Sequence, residues 1–247
     1  MKKSIYYWSP CLGPIGTVKS TVNSAIAAST YGKIKYQVYI INSCGEWDDY
    51  KYLFESHNIK IINFKYKFFH KLPKQGFLKS RFSYFLIYIL CFFPLLNLLK
   101  NSKPDFLILH LITSLPLTIV KLFNFKTKFI LRISGMPKLN FLRKIFWKFA
   151  NKKLHIITCP TKELKQKLSK SEIFSKNKIH LLSDAIIDIK KFNQDKREPV
   201  KNFEKFDKKR LIFAAGRLTK QKNFSYLIEE FISFTKKNDD FILIILG

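Results

Sequence analysis

Short apolar runs rich in Ile, Val, Leu, Phe and Tyr alternate along this chain with longer segments of helical character. The runs Ser4 to Trp8, Tyr36 to Asn42, Ile59 to Phe64, Asp105 to Leu111, Lys128 to Ile133, Leu154 to Cys159 and Lys178 to Leu182 predict strands. Helices are predicted between them over Thr17 to Thr30, Trp47 to Glu55, Ser80 to Lys100, Ser114 to Phe123, Leu139 to Ala150 and Pro160 to Ser169. Several strands are apolar at consecutive positions, the pattern of a sheet covered by helices on both faces. Strands alternating with helices imply an α/β domain with a doubly wound parallel sheet, here over residues 1–186.

The pattern then changes. Residues 187–209 (IDIKKFNQDKREPVKNFEKFDKK) are charged, contain Pro199 and lack apolar periodicity, so they read as a linker. Over 210–247 a second unit begins with strand LIFAAG, turn RLTKQKN, helix FSYLIEEFISFTKK and strand FILIILG. Two buried strands and one helix cannot cover their own apolar faces, so this βαβ is expected to be the start of a second, incomplete domain or to dock on the first.

Phe82 to Leu99 (FSYFLIYILCFFPLLNLL) runs eighteen residues without a charge, bracketed by Lys79, Arg81 and Lys100. Its hydropathy approaches that of a membrane span. Pro94 inside it argues instead for a helix that is buried or lies in a membrane interface, and so do the strands on either side, which a bilayer would separate. The preceding KYKFFHKLPKQGFLKSR is either a solvated loop or a segment drawn to an anionic membrane surface, at about 1 kcal/mol per well-placed basic residue.

Charge sharpens this picture. Among the 247 residues, 45 are Lys or Arg and 17 are Asp or Glu, a net charge of +28. Between Ser56 and Lys162 a single acid, Asp105, faces twenty basic residues, so this stretch carries +19 of the total. Such asymmetry points to one region facing an anionic surface: nucleic acid, phosphorylated small molecules or acidic lipid. No RNP-like strand, zinc module or helix-turn-helix spacing supports nucleic acid, which is excluded as a partner. The four cysteines, Cys11, Cys44, Cys91 and Cys159, stand singly, which argues against a disulfide framework or a zinc site. MKKSIYYWSPCLGP lacks the apolar core of a signal peptide, so the protein is expected to stay in the cytoplasm.

Two loops carry candidate chemistry. SPCLGPIGTVKS places Gly13 and Gly16 between the first strand and the first helix, where ligands of α/β sheets sit and where backbone N–H groups approach phosphates; a simple tight turn is the alternative. In GRLTKQKNFSYLIEEF, Arg217 follows Gly216 and Lys222 stands at the mouth of the next helix. Two cations there suit a diphosphate, held in a substrate or neutralised as it departs. A solvated basic turn is the plainer reading.

The run AAGRLTKQKNFSYLIEEF resembles the G-R-L-x-x-x-K-(G/N) motif that opens the C-terminal donor domain of GT-B glycosyltransferases of family 4, the group 1 glycosyltransferases. The rest of the chain is similar to that family in order: the Gly-containing first loop, PDFLILH ending at His110, KFILRISG ending at Gly135, IITCPTKELKQKL, and IHLLSDAIIDIKKF leading into the linker. The resemblance implies a GT-B fold of two Rossmann-like domains with the active cleft between them, and a metal-independent, retaining transfer from a nucleotide-sugar donor. The implied acceptor is lipid-linked or a lipopolysaccharide or polysaccharide, at the cytoplasmic membrane face through the basic region 60–104. No cofactor or metal is implied. Carried over by position, Arg217 and Lys222 bind the donor diphosphate, Gly13, Gly16, Ser134 and Gly135 line the cleft, and His110 is the catalytic candidate, although a histidine at a strand end is often structural.

The chain departs from the family in several places. Pro14 follows Gly13 where paired glycines are usual, Ser134 replaces a histidine, and Asp184-Ala185 stands where Asn-Gly is common. No two glutamates have the family's Glu-x7-Glu spacing, so the 247-residue chain by itself is expected to be inactive or nearly so. The alternative from another class is a non-catalytic membrane-surface or adaptor protein that keeps the acceptor domain.

Overall fold

Seven of the apolar runs become strands of one sheet: β1 (Ser4–Trp8), β2 (Gln37–Asn42), β3 (Lys60–Asn63), β4 (Phe106–Leu109), β5 (Lys128–Arg132), β6 (Leu154–Cys159) and β7 (Ile179–Leu181). The computed structural model describes residues 3–11, 16–31, 34, 36–64, 66, 77–184, 187, 189–199, 206 and 209–247, without the side chains of 77–80, 190, 191 and 221. All six neighbouring pairs are parallel, in the order β3-β2-β1-β4-β5-β6-β7. The chain therefore winds outward from β1 to β3, returns, and winds the other way from β4. Between β1 and β4 the winding direction reverses, and at such a point the loops leaving two neighbouring strands part and open a crevice.

Side-chain alternation divides the core in two. Ile5, Tyr7, Val38 and Ile40 pack on one face with Val18, Val22 and Ala25 of α1 (Gly16–Thr30) and Phe54 of α2 (Lys51–Ser56). Tyr6, Trp8, Leu107, Leu109, Phe129 and Leu131 pack on the other. Covering that second face are buried residues of α3 (Phe77–Leu90), α4 (Phe92–Ser102), α5 (Ser114–Leu122), α6 (Phe141–Lys153) and α7 (Lys162–Lys170). Helices α6 and α7 start where Asn140 and Thr161 accept hydrogen bonds from the backbone N–H of Arg143 and Leu164, both at 3.1 Å.

The segment expected as one helix from Ser80 to Lys100 is two, α3 and α4, bent by 41° at Cys91. Pro94 is the cause: its ring excludes the carbonyl of Leu90, four residues back, and its missing N–H is harmless only in the first turn of a new helix. Among the described residues no single helix is long and apolar enough to cross a membrane; the bent pair is so only in combination.

The chain clusters into two units, Met1–Ile186 and Ile187–Gly247. Inside the stretch read as a linker, Ile189–Asp195 forms a short helix, α8. Seven residues cover barely two turns, too few for apolar periodicity to show. In the second unit β8 (Arg210–Ala215) and β9 (Phe241–Leu246) pair in parallel, with α9 (Phe224–Thr235) between them in the chain. No described residue of this unit is fully buried. Phe213, Ile228, Ile232 and Leu246 are all exposed.

Candidate functional site

Helix α1 carries hydroxyl groups at Thr17, Ser20, Thr21 and Ser24, three and four residues apart and therefore on one face. That face turns toward the C-terminal ends of the strands. Ser24 meets the hydroxyl of Tyr7 at 3.1 Å, and Thr21, itself buried, meets both Ser9 at 3.3 Å and Nδ1 of His110 at 2.9 Å. Thr17 Oγ1 is buried and has no hydrogen-bond partner among the described residues.

His110 directly follows β4, and its backbone N–H donates to Trp8 O at 3.0 Å, so it extends the β1–β4 pairing to the point where the winding reverses. Ser134, two residues beyond β5, brings its hydroxyl within 2.9 Å of His110 Nε2. The imidazole is thus gripped from both sides at the point where the winding reverses, the position at which α/β sheets open a crevice. Burial holds its pKa down to about 4 from an ordinary 6.5; the nearby Arg132 cation lowers it further and Asp184 opposes it. At neutral pH the ring is uncharged.

Arg132 closes β5 and is buried. It donates to Leu182 O at 3.3 Å and forms a close ion pair with Asp184, 52 residues along the chain. A buried guanidinium needs such a partner, and this one ties the end of β5 to the segment leaving β7.

Of the residues read from sequence as a site, His110 and Ser134 meet directly. Gly135 adjoins them and Gly16 opens α1; both lie where an added β-carbon would meet nothing within 4 Å, so their backbones are open to approach. Gly13 falls outside the described residues. Arg217 and Lys222 belong to the second unit and flank the turn from β8 to α9, both exposed. There Asn223 takes a left-handed backbone, φ 51°, as the cap of α9. Glycine and asparagine are the residues that tolerate this conformation, which is the physical basis of Gly or Asn after the lysine of the motif.

Thr21, Ser9 and Arg132 were not anticipated. Signals for two of them were present: the hydroxyl stripe from Thr17 to Ser24, and an arginine closing the apolar run KFILR. A groove of about 1040 Å³ lies elsewhere, along the edge strand β3, beside Asn42, Asp48, Lys51 and Asn63. It includes none of the candidate residues, and Asn42 already donates to Asp48 at 2.7 Å and to Asn63 at 2.8 Å. Among the described residues no group of three or more His, Cys, Asp or Glu side chains is placed to hold a metal ion.

No protein-family model matches the chain. An uncharacterised glycosyltransferase of Methanocaldococcus jannaschii is 29% identical over 171 residues, covering 63% of this chain and 42% of that protein. The chain therefore spans less than half the length of this curated relative. A glycosyltransferase from Rickettsia africae superposes with a TM-score of 0.61 at 14% identity, over 100% of this chain and 69% of that one. S. aureus TarM, solved as a point mutant with fondaparinux, α-GlcNAc-glycerol and UDP, gives 0.61 at 12% identity, over 100% and 72%. The UDP-GlcNAc 2-epimerase of Neisseria meningitidis, bound to UDP-GlcNAc, gives 0.56 at 15%, over 99% and 65%.

The fold is thus α/β and Rossmann-like, with GT-B-like structural neighbours.

Proposed function

We propose that the chain is the acceptor domain and first donor-domain βαβ of a retaining family 4 glycosyltransferase, which moves a sugar from a nucleotide-sugar donor to a lipid-linked or polysaccharide acceptor. The observation that carries this reading is the turn between β8 and α9. Arg217 and Lys222 bracket it, Asn223 supplies the left-handed cap, and the first turn of α9 contains no acid, which leaves its N–H groups and positive end for an anion. The distant relative named a glycosyltransferase supports the reading, and so do structural neighbours solved with UDP or UDP-GlcNAc.

In this reading Arg217 and Lys222 neutralise the donor diphosphate, before and as it leaves. His110, neutral and wedged between Thr21 and Ser134, spends both ring nitrogens on those two hydroxyls and orients an uncharged hydrogen-bonding group, rather than a charge, toward the ligand. An anionic membrane surface is the partner proposed for the basic region 60–104, with the protein peripheral on its cytoplasmic side.

The experiment titrates the purified chain with UDP, GDP and ADP by calorimetry, then incubates it with the labelled nucleotide sugars and a polar-lipid acceptor extract. Saturable binding of one nucleotide, weakened about tenfold by Lys222→Ala or Arg217→Ala, is the expected result; tenfold corresponds to roughly 1.4 kcal/mol. Failure of all three nucleotides to bind refutes the donor reading. Little or no label in the lipid phase is expected of this chain by itself, which has no glutamate pair at the family spacing; release of epimerised sugar refutes transfer.

A second reading, a non-catalytic membrane-surface or adaptor protein, is favoured by one feature: the exposed apolar residues Phe82, Phe85, Ile89 and Phe93 on α3 and the start of α4. It predicts vesicle binding with no nucleotide binding.

A further inference from the structure

Thr21 and His110 meet 89 residues apart in sequence, and the protons between them can be placed by exclusion. Thr17 O lies 2.9 Å from Thr21 Oγ1 and can only accept. Two oxygens that close need a proton between them, and only Thr21 has one to give. Ser20 donates to the same carbonyl at 3.1 Å with a proton of its own and does not alter this. With the single Thr21 proton committed, the 2.9 Å contact to His110 Nδ1 requires an N–H on the ring. Ser9, at 3.3 Å, supplies the second hydrogen bond that Thr21 Oγ1 can accept. A neutral imidazole carries one N–H, so Nε2 is a bare lone pair, and Ser134 at 2.9 Å donates to it.

We infer that Thr21 is a positioning residue: it fixes His110 as the Nδ1–H tautomer, so that Nε2 is the proton acceptor of the crevice and Ser134 gives its proton inward. The exposed Ser134 then presents its oxygen lone pairs outward. Every proton in the series Ser134, His110, Thr21, Thr17 O points the same way, and aligned hydrogen bonds polarise one another. Such a series ends in an acceptor. It takes a ligand that donates, the hydroxyl of a saccharide, and disfavours a phosphate or carboxylate oxygen at the same place. Arg132 and Asp184, the charged groups that act on His110, are paired to each other and leave this polarity unchanged. The ligand class rests on the saccharide reading of the crevice; the tautomer does not.

The test is long-range ¹H–¹⁵N correlation on the full chain labelled with ¹⁵N-histidine at pH 7, the His110 signals being assigned by their loss in His110→Gln. A protonated Nδ1 and an unprotonated Nε2 are expected, retained in Thr21→Ser and Ser134→Ala and converted to Nε2–H or a mixture in Thr21→Val. An Nε2–H tautomer in the wild type, or an unchanged one in Thr21→Val, overturns the inference. If Thr21→Val does not fold, the wild-type and Thr21→Ser spectra decide. Titration with N-acetylglucosamine and with inorganic phosphate separates the two parts. The sugar should shift the Nε2 resonance of the wild type and not of Ser134→Ala, with phosphate shifting neither. The reverse pattern removes the ligand class and leaves the tautomer standing.

Discussion

Lys222 lays its alkyl chain across Gly216: a β-carbon built on the glycine would come within 3.2 Å of Lys222 Cε and 3.4 Å of Cδ. The glycine, at φ 154°, is also in a backbone region that side chains rarely adopt. The lysine can swing aside, so the steric part of a Gly216→Ala substitution is small, whereas the backbone part costs about 1–3 kcal/mol. Two effects are expected together: faster hydrogen exchange at the amides of β8 and β9, and, if the proposed donor site is right, binding of whichever of UDP, GDP and ADP the chain takes weakened several-fold, less than in Lys222→Ala. Unchanged exchange would show that the turn after β8 re-forms around the alanine without strain.

His110 couples stability to pH. The unfolded chain takes up its imidazole proton near pH 6.5, the folded protein only near pH 4. The contribution is therefore complete above pH 6.5 and is lost as pH falls through 4, by at most ~3 kcal/mol. Urea midpoints measured between pH 7 and pH 4 should fall more steeply for the wild type than for His110→Gln, whose amide does not titrate. Parallel slopes would mean that the folded ring is protonated at its ordinary pKa.

Arg132 and Asp184 offer a paired test. Arg132 is 9% exposed and Asp184 20%, so Asp184→Asn leaves a nearly buried cation without its counter-charge, at a cost of about 3 kcal/mol in urea unfolding. It also removes the carboxylate that raises the His110 pKa, which moves further down, readable in the imidazole titration. The double variant Arg132→Met, Asp184→Leu should recover much of the lost stability, since no buried charge is then left unpaired. A double variant no better than the sum of the singles would show that the charges act independently.

The strands were legible in sequence to within a residue or two because a run apolar on both faces has few other places to go. The order β3-β2-β1-β4-β5-β6-β7 was not, since strand neighbours are chosen by packing and not by local pattern. The same division holds at the site. His110 and Ser134 could be placed at strand ends, but their contact spans 24 residues and exists only because β4 and β5 are adjacent. Thr21 was hidden for a different reason: in a helix rich in Ser, Thr and Ala the apolar stripe is weak, and nothing local tells which hydroxyl faces a histidine. Helix α8 was hidden by its length.

Phe82, Phe85, Ile89 and Phe93, exposed at 57, 59, 49 and 68%, repeat at intervals of three and four residues across α3 and the start of α4. That spacing puts Phe82, Phe85 and Ile89 on one face of α3, and Phe93 continues it beyond the bend. A row of large apolar groups left to water costs free energy unless something covers it, and soluble surfaces rarely keep one. Arg81, Lys100 and Lys103 bracket the row, a combination that fits the boundary between headgroups and acyl chains. Full-length protein should therefore sediment with vesicles that contain phosphatidylglycerol and not with purely zwitterionic ones. Phe85→Glu with Phe93→Glu should weaken that binding at least tenfold and leave the far-UV spectrum unchanged, because neither side chain belongs to the core. High salt should weaken wild-type binding only in part, since screening acts on the lysines and not on the aromatic row. Complete loss in salt would assign the attraction to charge alone. Binding unaffected by the two glutamates would move the contact to some other face of the protein.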